Sequence, residues 1–184
     1  MHKVLAIAFT KIRGKGEAPK DWASSKVILM LMGKSGATND LSSFRIISLT
    51  LHIRKLYHTL EAQRTMDFMV ANKYLDPAAQ KAFMDGVNGC VEHVTVIQEI
   101  IQNATHNHKT VHITWFDLED AFGSVSHMLI PITSLYSKLE GQIKTKNWES
   151  DIFKFLKGFF QGDPHSGVIF MIIFNSIIEY SKKH

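Results

Sequence analysis

Thr110-Val111-His112-Ile113-Thr114-Trp115-Phe116-Asp117-Leu118-Glu119-Asp120-Ala121-Phe122 is the stretch on which the reading of the fold turns. Val111, Ile113 and Trp115 alternate with their neighbours, and period-two alternation predicts one face of a strand. An apolar strand ending in an acid sets a carboxylate at the rim of a sheet, where ligands usually bind. Asp117 is that acid. Taken alone, a strand-end aspartate is more often a cap or a surface ion-pair partner than a metal ligand. Glu119 and Asp120 flank Asp117 without having to share a site with it. Phe122 reads as core by default, and otherwise as an aromatic under a bound ligand.

Upstream, Cys90, Val94, Ile97, Ile101 and Ala104 recur at helical spacing and predict an amphipathic helix before the polar turn Thr105–Lys109. Asp85-Gly86-Val87-Asn88-Gly89 is the loop before it, and Asp76-Pro77 opens another turn. Leu49, Ile53, Leu56 and Leu60 predict the apolar face of a long helix ending near Asn72, with Arg54, Lys55 and Arg64 off that face. Further back, Lys26–Met32, all apolar after the lysine, reads as a buried strand, and with Phe44–Leu49 it predicts a hairpin around a polar, glycine-bearing loop holding Lys34. Met1–Ile12 has apolar residues at roughly helical spacing, closed by Gly14-Lys15-Gly16.

Downstream, Ser126–Lys138 predicts a short helix interrupted or started by Pro131, and Gly141–Gly158 a hairpin containing Trp148. Asp163-Pro164 is a strong helix start, an acid able to cap followed by a proline at the first helical position. The helix it opens runs to about Tyr180. It is apolar nearly all round, which predicts burial on most sides.

Composition narrows the class. The 184 residues are 45% hydrophobic, enough for a folded core, with a net charge of +4 and a pI near 9.1. Mild basicity fits an anionic partner without requiring one. Cys90 is the single cysteine, so no disulfide framework exists and a reducing, intracellular setting in cytoplasm or nucleus is expected. The longest apolar runs are too short to span a bilayer, and no signal peptide or membrane partner is expected. His106, His108 and His112 cluster without the spacing of a zinc site.

Other residues invite chemistry. Lys34 and Arg45 put cations on the first hairpin, where they could meet phosphates or simply be solvated. Gln161-Gly162-Asp163-Pro164 permits close backbone approach beside a helix start with free amide groups. Each feature is weak singly. An α/β phospho-acceptor domain using Asp117 would need acids on an earlier strand and a late lysine, and these cannot be placed.

The order of the blocks is specific, and in that order the chain resembles the reverse transcriptase domain of non-LTR, LINE-like retrotransposons. Pro19-x-x-Trp22, Lys26–Gly36 and Phe44-Arg45-Ile46-Ile47-Ser48-Leu49 resemble the fingers pattern. Gln80-Lys81-Ala82-Phe83 with Gly86, Gly89, Cys90 and His93 is similar to the Gln-x-Gly-Phe block and its helix. Phe116-Asp117-Leu118-x-x-Ala121-Phe122 resembles the first palm motif, and Gln161-Gly162-Asp163-Pro164-x-Ser166 the second.

The resemblance implies an α+β fold: the fingers and partial palm of a right-hand polymerase, with the thumb and the end of the palm missing. Residues 1–109 would be fingers-like and 110–184 palm. It implies Asp117 as a catalytic, magnesium-binding carboxylate beside the backbone carbonyl of Leu118. Phe122 would be the gate against a ribose hydroxyl, Arg45 and Lys34 contacts to the incoming triphosphate, and Gln161 and Gly162 neighbours of the templating base. Partners would be an RNA template, a DNA primer or RNA–DNA hybrid, and deoxynucleotides. The sequence also departs from the pattern. Ile46 and Ala82 replace a proline and a glycine, Gly123 stands where an acid often follows Phe122, and His165 and Gly167 replace a leucine and a proline. The segment from His127 to Tyr136 is several turns short, and no two aspartates are adjacent anywhere. A decayed or truncated copy, an RNA-directed DNA polymerase fragment inactive alone, is therefore the expectation. A non-catalytic nucleic-acid-binding remnant is the alternative.

Overall fold

A computed structural model describes residues 2–32, 40, 43–84, 86–127 and 133–183. Its architecture is mixed helix and sheet, compatible with an α+β fold. Helix α1 (His2–Lys15) leads through a 3₁₀ turn (Lys20–Ala23) into strand β1 (Ser24–Leu31). Strand β2 (Phe44–Leu49) returns antiparallel, with Lys26 opposite Leu49 and Leu31 opposite Phe44. The predicted hairpin is there, but β1 is not the buried strand its apolar run predicts: only Ser25 and Val27 of it are buried, while Ile28, Met30 and Leu31 are exposed; the Lys34 loop lies outside the described residues. Helices α2 (His52–Ala71) and α3 (Gly89–His106) follow. The short α4 (Thr133–Tyr136) stands in the segment expected to hold a helix around Pro131. Strands β3 (Glu140–Ile143) and β4 (Phe153–Lys154) form the second predicted hairpin, and α5 (Pro164–Ser181) closes the chain.

The four strands make one mixed sheet in the order β2-β1-β3-β4. β1 and β3 are parallel, with Ser24 opposite Glu140 and Val27 opposite Ile143. A parallel pair needs a long crossover, and residues 32–139 supply it. The sheet thus joins strands from both sides of residue 110. One core gathers Trp22, Val125, Leu135, Tyr136, Leu139, Phe159, Phe160 and Ile169, with Phe9 and Ile12 of α1 laid against it. A second lies where α2 meets α5, built from Ala62, Met66, Leu75, Val168 and Met171.

Two further expectations are corrected. Residues 110–118 form no strand. A strand needs ladder partners for its backbone and cover for one face. Among the described residues neither is supplied: the sheet ends at β2 and β4, and Trp115 and Phe116 are 75% and 94% exposed. The α2 helix also buries a different face from the one its leucines predict. Ile53, Leu56 and Leu60 are exposed, while Arg54, His58, Ala62 and Met66 face inward at successive four-residue steps. The cause is the buried carboxylate of Asp163, just before α5, which takes Arg54 and His58 as partners.

α3 is helical as predicted but carries no buried residue, and Val91, Val94, Val96, Ile100 and Ile101 are exposed. α5 is buried most along its first two turns, from His165 to Ile169, whereas Ile177 and Tyr180 near its end are exposed. Among the described residues no helix is long and apolar enough to cross a membrane. Cys90, the single cysteine, is free and exposed.

Candidate functional site

The second palm-like motif is the best-built part of the molecule. Phe160-Gln161-Gly162-Asp163 is a turn between the apolar pair Phe159-Phe160 and the first residue of α5. Asp163 caps that helix, its Oδ1 accepting the His165 backbone N–H at 3.1 Å, with Pro164 in the first turn. This is the capping predicted from Asp-Pro. Gly162 has φ +104°, a conformation L side chains rarely adopt, and a Cβ there would lie 3.2 Å from the Ser48 carbonyl oxygen. Glycine therefore lets the turn lie against β2. The Ser48 N–H donates to the Gln161 carbonyl at 2.8 Å, so the edge of β2 is tied to the turn.

Beneath the turn lies a buried polar cluster. Asp163 accepts a hydrogen bond from His58 Nδ1, at 2.7 Å to Oδ1, and forms an ion pair with Arg54, whose Nη2 lies 2.8 Å from Oδ2. An ionised carboxylate can only accept, so His58 carries its proton on Nδ1. Arg54 also donates through Nη1 to the Trp22 carbonyl, and its guanidinium lies 4.8 Å from the centre of the Phe160 ring. Arg54 is fully buried, and His58 and Asp163 nearly so.

Charge balance explains how such a cluster survives burial. Burial alone would push the Asp163 carboxyl up. The His58 hydrogen bond, the charges of His58 and Arg54, and the His165 N–H outweigh it and hold Asp163 below the usual carboxylate range. Burial lowers the Arg54 guanidinium from its ordinary value against the opposing pull of Asp163; a guanidinium remains charged throughout. His165, whose ring centre is 5.7 Å from that of His58, is pushed down to about 4, first by burial and then by the neighbouring His58. Burial, then the Asp163 charge, raises the Tyr136 phenol. A half-open cavity of about 210 Å³ sits beside the cluster, with Tyr57, His58, Glu61, Tyr136 and His165 among its walls.

The sequence assigned Asp163 only to capping, and it placed Arg54 off the core face of α2. The legible signal was spacing: Arg54 and His58 sit four apart, in register with Ala62 and Met66, so one helical stripe carries both charge and apolar residues.

The other predicted site residues are dispersed. Arg45 is exposed on β2, three residues before Ser48, with Nε 3.2 Å from the Met32 sulfur. Phe122 is half-buried, its ring centre 5.2 Å from that of Phe170 on α5, and its carbonyl accepts the Phe159 N–H at 3.0 Å. It thus reaches the segment leading into the Gln161 turn. Asp117 is exposed, and its Oδ1 accepts the Leu118 N–H at 2.9 Å. Among the described residues no three His, Cys, Asp or Glu side chains come together in a way that could hold a metal ion. Asp117 and the Leu118 carbonyl are hard oxygen donors of the kind magnesium takes, but two donors do not make a two-metal centre. The donor set present does not fit that group. Lys34 lies outside the described residues.

No family model matches the chain. A curated relative is the Retrovirus-related Pol polyprotein from type-1 retrotransposable element R2 of Nasonia vitripennis, 22% identical over 185 residues. The match covers 92% of this chain and 17% of that polyprotein, so the chain spans about a sixth of its relative's length. The similarity supports a retrotransposon-related origin.

Proposed function

We propose that the chain is the fingers-like region (1–109) and partial palm (110–184) of a retrotransposon RNA-directed DNA polymerase, which holds nucleic acid but does not polymerise alone. The observation that carries the proposal is the contact between two motifs far apart in sequence. The Arg45–Ser48 strand is bonded to the Gln161–Gly162 turn, bringing a cation-bearing strand edge beside a glycine turn. An RNA template, a DNA primer or hybrid, and a deoxynucleotide are the partners that such a surface and a +4 chain suit. Similarity to a Pol polyprotein over nearly the whole chain agrees with it.

In this reading Arg45, with Lys34, meets phosphates, Phe122 guards the sugar, and Gln161 and Gly162 border the templating base. Asp117 and the Leu118 carbonyl stand at the positions that the resemblance gives to a magnesium ion, and two donors by themselves do not fit a two-metal centre. The chain's own residues would bind and orient the strands.

Primer extension tests the claim of inactivity. The 184-residue chain, given a primed RNA template, magnesium and deoxynucleotides, is expected to give no extension above that of an Asp117→Ala control. Extension that depends on Asp117 would overturn it.

A further inference from the structure

The buried cluster under the turn does more than capping requires. A helix N-cap needs one oxygen, and asparagine supplies it as well as aspartate. Asp163 already accepts the His165 N–H that capping calls for. The Arg54 ion pair and the His58 hydrogen bond are additional, and a buried ion pair adds little net stability over an apolar replacement; its firmer effect is to fix geometry. The fixed object here is the turn. Arg54 holds the Asp163 carboxylate on one side and covers the Phe160 ring on the other, so both ends of Phe160–Asp163 are gripped by one guanidinium. Its second arm reaches the Trp22 carbonyl, at the entrance to β1. The middle of the turn is pinned to β2 through Gln161 and Ser48.

We propose that Arg54 and His58 are positioning residues. Through Asp163 they clamp the Gln161–Gly162 turn against β2, so that Gln161 meets its ligand from a fixed backbone. The ligand half of this inference rests on the reading of Gln161 as a neighbour of the templating base. The clamp itself does not.

The experiment separates the two. Single removal of Asp163 or Arg54 leaves its partner buried and unpaired and can unfold the chain. The informative variant is therefore the neutral double R54M/D163N, which keeps a capping oxygen, alongside His58→Leu and His58→Asn. Asparagine can place an N–H where Nδ1 stands. Amide hydrogen exchange is read at Ser48 and Asp163, which donate to Gln161 and Phe160 across the turn, and at amides of the β1–β3 pair for comparison. In R54M/D163N and His58→Leu the two turn amides are expected to exchange at least ~10-fold faster while the β1–β3 amides hold, and His58→Asn restores most of the protection. A uniform change, or none at the turn, overturns the clamp. Binding of an RNA–DNA hybrid is then measured with Gln161→Ala in both backgrounds. Gln161→Ala is expected to weaken binding about tenfold in the parent and less than about twofold in R54M/D163N. Equal losses in both backgrounds overturn the positioning role. No loss in the parent, with the exchange result intact, overturns the template reading of Gln161 and leaves the clamp standing.

Discussion

Asp163 joins three chemistries in one carboxylate: a helix cap, an ion pair with Arg54 and a hydrogen bond from His58. Asp163→Ala leaves Arg54 buried without a counter-charge, and unfolding in urea is expected to show a loss of about 3–5 kcal/mol. Two residues away, His165 supplies the pH dependence. Its folded value of about 4 lies below its ordinary 6.5, so between those values the unfolded chain binds a proton that the folded chain does not. Stability then falls as pH falls through that window, by ~3 kcal/mol in total, and is restored above it. Asp163, held below 3.8, adds stability that is present above that value and lost as pH falls further. Urea midpoints between pH 7 and pH 4 should decline in the parent, and His165→Gln should flatten most of the decline; an equal slope in both would assign it elsewhere. Gly162→Ala forces a side chain into φ +104° beside the Ser48 carbonyl and is expected to cost about 1–3 kcal/mol by the same measurement.

At the scale of elements, α2 and α3 show opposite relations between pattern and burial. α2 buries Arg54 and His58 because a partner carboxylate outweighs the leucine stripe. α3 has the clearer amphipathic pattern and buries nothing among the described residues. Val94→Lys and Ile101→Lys should accordingly change stability by less than about 0.5 kcal/mol, whereas Met66→Lys on the buried stripe of α2 should prevent folding or cost several kcal/mol. Thermal denaturation of the three variants distinguishes these outcomes. The elements legible in the sequence were those set by local rules: the β1–β2 hairpin, the Trp148 hairpin, and α5 with its Asp-Pro start. Capping and turn formation act over a few residues, so Asp163 and the loop between β1 and β2 declare themselves. The α2 face and the segment 110–118 depend on distant partners. Arg54 turns inward only because Asp163, more than a hundred residues away, is there to meet it, and the alternating Val111, Ile113 and Trp115 make no strand without a neighbour.

At the scale of the molecule, the site residues divide into a joined set and an outlying one. Arg45, Gln161 and Gly162 are linked through β2 and the turn, and Phe122 reaches the same region through Phe159 and Phe170. Asp117 stands apart on an exposed segment where, among the described residues, only the Leu118 amide meets its carboxylate. The joined set is where the nucleic-acid surface proposed above would lie. The most direct measurement is binding of an RNA–DNA hybrid to the chain across 50–200 mM salt, with Arg45→Ala alongside. Affinity should fall with salt on a log–log slope steeper than about −2, and Arg45→Ala should flatten that slope by about 1. Salt-independent affinity, no binding at any salt, or a slope that Arg45→Ala leaves unchanged would contradict the nucleic-acid surface proposed for this chain.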